Sequence, residues 1–383
     1  MKKFILTIPG ILLSVFGGGM FICCLFGAIE DEFQPVHVYL SLFFSFGVIL
    51  ALGIVMIYFG HKKNVKSKEG ADYNYTPVQT PDKKTVKALL QELQKRTSQD
   101  SIKIQIEENR KPTLFGSKIG GIPYWDKKRE YPKDSDGSKL TLLAQMNLNE
   151  LPENQMLPRT GILQFFILCD RNYGMAIQES GYPNNTYQVV YHEKIDESIT
   201  EADVLSIGIK TTGDLEKENK SVNQQDSNCF PVRGEYAVSF KMEKAYMNDC
   251  DVRCDELLHK IAEELGVELD SRLEFYQMFD EYDKKYVDIH ESTYGHRMFG
   301  YPHFRQWDPR GVEAADYYDT LLFQLDSDYW KNQWRILWGD AGVGAFFINS
   351  KKLEELDFGD VLYSWDCHYW LYELSERRKR CIG

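Results

Sequence analysis

The strongest constraint on what this chain can fold into is a self-similarity within it. Lys118-Ile119-Gly120-Gly121-Ile122-Pro123-Tyr124-Trp125 lies over Arg297-Met298-Phe299-Gly300-Tyr301-Pro302-His303-Phe304 at an offset of 179 residues, keeping a base, an apolar residue, Gly, Pro and a closing aromatic. At the same offset Leu142-Leu143-Ala144-Gln145-Met146-Asn147 lies over Leu321-Leu322-Phe323-Gln324-Leu325-Asp326, so each half carries a Gln 22 residues after its proline. Gly161-Ile162-Leu163-Gln164-Phe165-Phe166-Ile167 then matches Gly342-Val343-Gly344-Ala345-Phe346-Phe347-Ile348 at an offset of 181. Three ordered matches with one short slip point to an internal duplication, with repeat halves at about 114–170 and 293–350.

Each block also has a local meaning. The Leu142–Met146 and Leu321–Leu325 runs, and the two runs that open on Gly161 and Gly342, read as buried strands. The Gly-x-Pro-aromatic element reads as a turn, because Gly accepts a φ that other residues resist and Pro fixes the next one. Helices are fewer: about Pro81–Arg96 with Thr80 as cap and Val86, Leu89, Leu90 and Leu93 on one face; Asp251–Leu265, stopped by Gly266; and Lys351–Leu356. The polar stretch Thr211–Asn228 reads as a surface loop. Strands outnumber helices without alternating with them, which predicts an α+β domain of two similar sheet-rich halves rather than a doubly wound fold.

The first 60 residues are composed differently. Two stretches, about 4–29 and 36–60, contain no Asp, Glu, Lys or Arg and exceed the ~20 residues that cross a hydrocarbon core as a helix. The turn Glu30-Asp31-Glu32-Phe33-Gln34-Pro35 joins them, and lysines flank both outer ends. The positive-inside rule therefore predicts a two-helix transmembrane hairpin, anchoring the chain in the bilayer through residues 4–60 as a two-pass cell-membrane protein with both termini and the soluble part in the cytoplasm. Residues 61–82 read as a polar tether and 83–383 as the cytoplasmic domain. The chain has 45 Lys and Arg against 57 Asp and Glu, a net charge of −12. The first 82 residues carry six basic and six acidic side chains, so the domain carries the whole excess. That balance argues against a nucleic-acid binder. In a reducing compartment the cysteines are not expected to form a disulfide framework, and Cys250-x3-Cys254 with His259 lacks the second ligand pair of a zinc site.

Taken in order, Gly121-x-Pro123, Leu143–Leu148, Leu157-Pro158-x2-Gly161-x2-Gln164-Phe165-Phe166, Gly300–Phe304 with Asp308-Pro309-Arg310, Leu322-x-Gln324–Asp328, Trp338–Ile348 and Trp365-Asp366-Cys367 resemble the YwqG-like family. The resemblance runs from about Leu114 to His368. It implies a bacterial protein of that family's fold and supplies no reaction; the soluble members of the family lack the N-terminal hairpin expected here.

The residues that could carry chemistry are few. Gly339-Asp340-Ala341-Gly342-Val343-Gly344 lacks the Gly-Lys-Ser/Thr ending of a phosphate loop and reads as a hairpin turn. Cys367 and His368 are adjacent, so on a strand they face opposite ways and cannot pair. Arg310 is expected in a buried ion pair with Asp340 or Asp366. A ligand site, if present, is expected in a cleft between the repeat halves, lined by Tyr124, Trp125, His303, Phe304 and Trp338 with Arg310 and Asp340 as polar anchors. No cofactor and no metal is implied. The sequence leans away from an enzyme and towards a module that binds a protein partner or ligand; the alternative is a hydrolase-like enzyme in which His303 works with Asp308 or Asp340 as acid and base.

Overall fold

The computed structural model describes residues 80–176, 183–221, 229–278 and 284–368. All belong to one compact unit, Val78–Gly383. Its centre is a single antiparallel sheet. In chain order the strands are β1 (Gln99–Ile106), β2 (Lys118–Ile119), β3 (Thr141–Asn147), β4 (Ile162–Ile167), β5 (Tyr187–His192), β6 (Tyr236–Ala245), β7 (Arg297–Met298), β8 (Thr320–Asp326), β9 (Asp328–Trp330), β10 (Gln333–Ile336), β11 (Val343–Ile348) and β12 (Val361–Asp366). Ten of them make one sheet in the order β12-β11-β8-β7-β1-β6-β2-β3-β4-β5, while β9 and β10 form a separate hairpin.

This architecture corrects the expectation of an α+β fold with two sheet-rich halves. The four apolar runs are strands, and every residue of β4 and β11 is buried. What the periodicity did not reveal is β1 and β6, which lie outside the matched blocks. They pair over their whole length, from Gln99 opposite Ala245 to Ile106 opposite Val238. β1 also pairs with β7, and β6 with β2, so this ladder joins both sets of strands into one sheet. The sheet curls until its edge strands approach: Tyr187 on β5 donates through its hydroxyl to Val361 O on β12 at 3.1 Å, and its ring lies 5.2 Å from that of Tyr363. The enclosed core draws on both sides, with Phe165 stacked on Phe323 at 4.5 Å and Phe346 on Tyr363 at 4.5 Å.

The transmembrane hairpin and the two-pass membrane placement are corrected as well. Among the described residues no helix is long and apolar enough to cross a membrane. The two spans, 4–29 and 36–60, lie outside the described residues, as does the tether up to residue 79.

Other local expectations change for identifiable reasons. The first helix is Lys83–Thr97, capped by Asp82, whose Oδ1 accepts from the amides of Lys84 and Thr85 at 2.9 and 3.1 Å. Its Leu89, Leu90 and Leu93 pack against Leu258, Ile261 and Ala262 of the helix Cys254–Glu264. The stretch beginning at Thr211 is a helix over Thr212–Ser221, because Thr211 and Asp214 cap each other: the Thr211 amide donates to Asp214 Oδ2, and the Asp214 amide to Thr211 Oγ1. The glycine-rich Gly339–Gly344 segment is not a hairpin turn, since β10 pairs with β9 and β11 with β8 and β12. Its glycines serve close approach instead: a Cβ on Gly339 would sit 2.7 Å from Cys367 Sγ. Cys169 and Cys229 are joined in a disulfide, contrary to expectation, with Cα atoms 5.1 Å apart, within bridging range.

Candidate functional site

The matched blocks make matched contacts. Gly120 and Gly121 take left-handed φ values of 67° and 80°, and Phe299 and Gly300 take 62° and 78°. The chain therefore bends twice in succession, a geometry natural for glycine and strained at Phe299. The bend lets the Gln 22 residues past each proline reach back. Gln145 Oε1 accepts from the Tyr124 amide at 2.8 Å, while its Nε2 donates to Leu114 O and Gly116 O, both at 2.9 Å. Gln324 Oε1 accepts from the His303 amide at 2.8 Å, and its Nε2 donates to Thr293 O at 3.0 Å and Gly295 O at 2.9 Å. Each glutamine thus satisfies one amide and two carbonyls that burial would otherwise orphan.

The base at the head of each block is also held alike. Lys118, 2% exposed, donates through Nζ to Thr113 O, Leu114 O and Ile122 O. Arg297, 1% exposed, donates to Ser292 O, Tyr294 O and Ser101 Oγ. Burial lowers both, the lysine to about 8 and the arginine to about 10. Carbonyl dipoles, rather than a paired carboxylate, surround these cations.

The residues expected to form a site are placed in different surroundings. Tyr124 and Trp125 are buried beside His192, with both rings 5.0 Å from the imidazole. Phe304 packs against Phe347, and Trp338 lies in the central core near Tyr173 and Trp365. Arg310 is in a buried ion pair, but its partners are Asp308 at 2.6 Å and Asp251 at 3.2 Å rather than Asp340 or Asp366. Its guanidinium stands 4.2 Å from the centre of the Phe347 ring, and Nη1 donates to Tyr318 O. Asp251 also holds Arg253 at 2.7 Å, which completes a balanced set of two arginines and two aspartates. Asp340 is exposed, and its carbonyl accepts from the His368 amide at 3.5 Å.

His303 is engaged on both ring nitrogens. Arg305 Nη1 lies 2.9 Å from Nε2, and a guanidinium can only donate, so Nε2 is unprotonated. The ring proton sits on Nδ1, which faces Cys250 Sγ at 3.5 Å, and the thiol in turn faces Phe304 O at 3.7 Å. Burial first, and then the Arg305 charge, hold His303 down at about 3, while burial pushes the Cys250 thiol up to about 12. Both groups are neutral at ordinary pH, and neither is a free base or thiolate. Arg305 continues to Asp326 Oδ1 at 2.8 Å and Ala341 O at 2.9 Å. The Arg305 and Gln306 amides donate to Asp366 Oδ2, both at 2.9 Å, while Asp366 Oδ1 is buried without a partner among the described residues. Burial raises this carboxyl to about 6. His192 repeats the pattern of His303: Arg129 Nη1 donates to Nδ1 at 3.2 Å and Nε2–H donates to Gln164 Oε1 at 2.9 Å, with burial lowering it to about 4.

Of the zinc-like trio, Cys250 faces His303, Cys254 is buried at the head of its helix with its thiol pushed up by burial, and His259 Nε2 contacts Leu273 O at 2.9 Å. Among the described residues no group of three or more His, Cys, Asp or Glu side chains could hold a metal ion.

The open space lies elsewhere. A cavity of about 740 Å³ is bounded by the Phe299-Gly300-Tyr301 bend, by Ile102 and Met242 of β1 and β6, and by the Glu153–Met156 loop that follows β3. Arg253 and Asp319 also border it. It therefore touches elements of both matched segments, but none of the seven residues expected to line a cleft reaches it. Sequence reasoning found the Gly-x-Pro bend and missed that its first residues face open space while His303 and Phe304 turn into the core. The signal was present in Phe299, a bulky residue standing where the matched block has Gly120.

Comparison with known proteins gives a family and no reaction. Among curated proteins none matches the chain. The profile of a domain of unknown function (DUF1963) matches residues 117–367, which reach from β2 to the end of β12 and are well over half of the 383 residues. The chain belongs to this domain-of-unknown-function family, DUF1963.

Proposed function

We propose that the domain is a binding module, not a catalyst, and that its ligand occupies the cavity at the Phe299-Gly300-Tyr301 bend. The observation that carries this reading is the cavity itself: about 740 Å³, the volume of a small-molecule or short-peptide site, beside a strained backbone bend. The reactive side chains support it from the other direction. His303, Asp308 and Arg310 are spent on neighbours, and a general base needs a free lone pair within reach of a substrate proton. The resemblance to YwqG-like proteins belongs to this reading, as does the expectation of a protein partner.

The test uses methionine methyl groups as reporters, since Met156, Met242 and Met247 border the cavity. The full chain labelled at its methionine methyls is titrated with a fragment library. Binders are expected to shift the resonances of these three methionines, and Met242→Trp, which fills the space, is expected to abolish the shifts. Binders that perturb only other methionines would place the site elsewhere, and the reading would be abandoned.

A further inference from the structure

The two matched bends differ in one hydrogen bond. In the first, the Gly121 amide donates to Thr212 Oγ1 at 2.8 Å, so the head of the Thr212–Ser221 helix closes that side. In the second, no group among the described residues accepts from the Gly300 amide, and Gly300 borders the cavity. A buried or half-buried amide is ordinarily paired. The oxygen that Thr212 supplies at the first bend thus has no counterpart among the described residues at the second. A Cβ on Gly300 would meet Ala245 Cβ at 2.7 Å and Ser101 Cβ at 3.0 Å, so the backbone at this bend is pressed onto β6 and β1.

The surroundings narrow the class of ligand. Ile102, Met242, Met247 and Phe299 give an apolar floor, in which methionine adapts to different aliphatic side chains. Met156 and Gln155 also border a second cavity of about 410 Å³, lined by Leu353, Glu354 and Leu356. A segment lying across both would follow an elongated path, called the groove below. Its charge is one-sided. Asp100, Glu153, Asp319 and Glu354 border it, whereas its Arg253 is already neutralised by Asp251. Among the described residues Glu153 and Glu354 have no ion-pair partner, and Asp319 accepts from the Ser350 amide and hydroxyl and from Thr320 Oγ1 without a cation. Asp100 is paired with Lys244 at 2.6 Å. A free carboxylate ligand would meet this rim, and a net charge of −12, unfavourably.

Building on the cavity reading above, we infer that the groove takes an extended basic peptide segment: one main-chain carbonyl accepts from the Gly300 amide, an aliphatic side chain lies on the methionine floor, and lysine or arginine heads meet Glu153 and Glu354. An extended strand suits this arrangement because it presents carbonyls and alternating side chains at a fixed pitch.

The test titrates the full chain, labelled at methionine methyls and at backbone nitrogen, with acetyl-(Lys-Leu)4-amide and acetyl-(Glu-Leu)4-amide. The lysine peptide is expected to shift Met156, Met242 and Met247 saturably, to move the Gly300 amide resonance and slow its exchange, and to leave Gly121 unchanged. It is expected to bind at least about tenfold more tightly than the glutamate peptide. Glu153→Lys with Glu354→Lys, both at exposed positions, is expected to weaken it by about five- to tenfold, and raised salt should weaken it too. Equal binding of the two peptides would overturn the charge argument, and a silent Gly300 amide during methionine saturation would overturn the carbonyl contact. If fragments reach the methionines while neither peptide does, the peptide inference falls and the cavity reading stands. If nothing reaches them, both fall.

Discussion

The neutral state of His303 has a consequence that can be measured as a proton count. An imidazole in the unfolded chain titrates near 6.5, and burial with the adjoining Arg305 guanidinium lowers His303 to about 3 in the folded protein. Between these values the unfolded chain binds the extra proton and the folded one does not. Stability therefore rises with pH across this window and is lost as pH falls from 6.5 towards 3. The full span is worth on the order of 5 kcal/mol, at about 1.4 kcal/mol for each pH unit, and about 2 kcal/mol of it falls between pH 7 and pH 5. His303→Gln removes the titration while keeping an oxygen for Arg305 Nη1 and an amide N–H for Cys250 Sγ. Urea unfolding of both proteins at pH 7, 6 and 5 is expected to show the wild type losing about 2 kcal/mol more than the variant over that range. Curves that stay parallel to within about 0.5 kcal/mol would mean that His303 exchanges protons freely. The account of its hydrogen bonds would then be wrong, and a role as an acid or base would be open again.

Gln324→Leu leaves the His303 amide and two carbonyls unpaired in the core, and Gln145→Leu does the same in the other half; each is expected to lower unfolding stability by about 3 kcal/mol or more in chemical denaturation. Arg310→Met strips the buried Asp308 of its cation and should cost about 3–5 kcal/mol, whereas the double variant Arg310→Met with Asp308→Leu should recover most of that loss. Asp366, raised to about 6, contributes stability that is fully present below the unfolded value near 3.8 and is lost as pH rises through 6; Asp366→Asn is therefore expected to remove a loss of about 2.4 kcal/mol between pH 4 and pH 7, read from the same urea curves. Ala341→Gly relieves a non-glycine residue at φ 53° and should raise the melting temperature slightly, by the equivalent of about 1 kcal/mol or less.

The sequence was most legible where one physical demand acts on consecutive residues. Burial on both faces makes a strand apolar throughout, so the runs that became β3, β4, β8 and β11 could be read directly, and the Gly-x-Pro bend announced itself through the φ it requires. β1 and β6 face solvent in part, as their mixed burial shows, so their polar residues hid strands whose pairing decides the architecture. The partners of Arg310 were illegible for another reason. Asp251 precedes it by 59 residues and belongs to a different helix head, and no spacing rule links two positions that meet only after the sheet has closed. The residues expected to line one cleft do not converge, for the same reason. Reactive residue types were grouped by nearness in the sequence, and the fold gave those groups to one another as hydrogen-bond partners. Open space arose instead where side chains of ordinary type, methionines and an isoleucine, meet a backbone bend whose counterpart is plugged by Thr212. The two matched bends thus differ in what covers them. The Gly300 amide, with no acceptor among the described residues, is the point at which the second bend departs from the first.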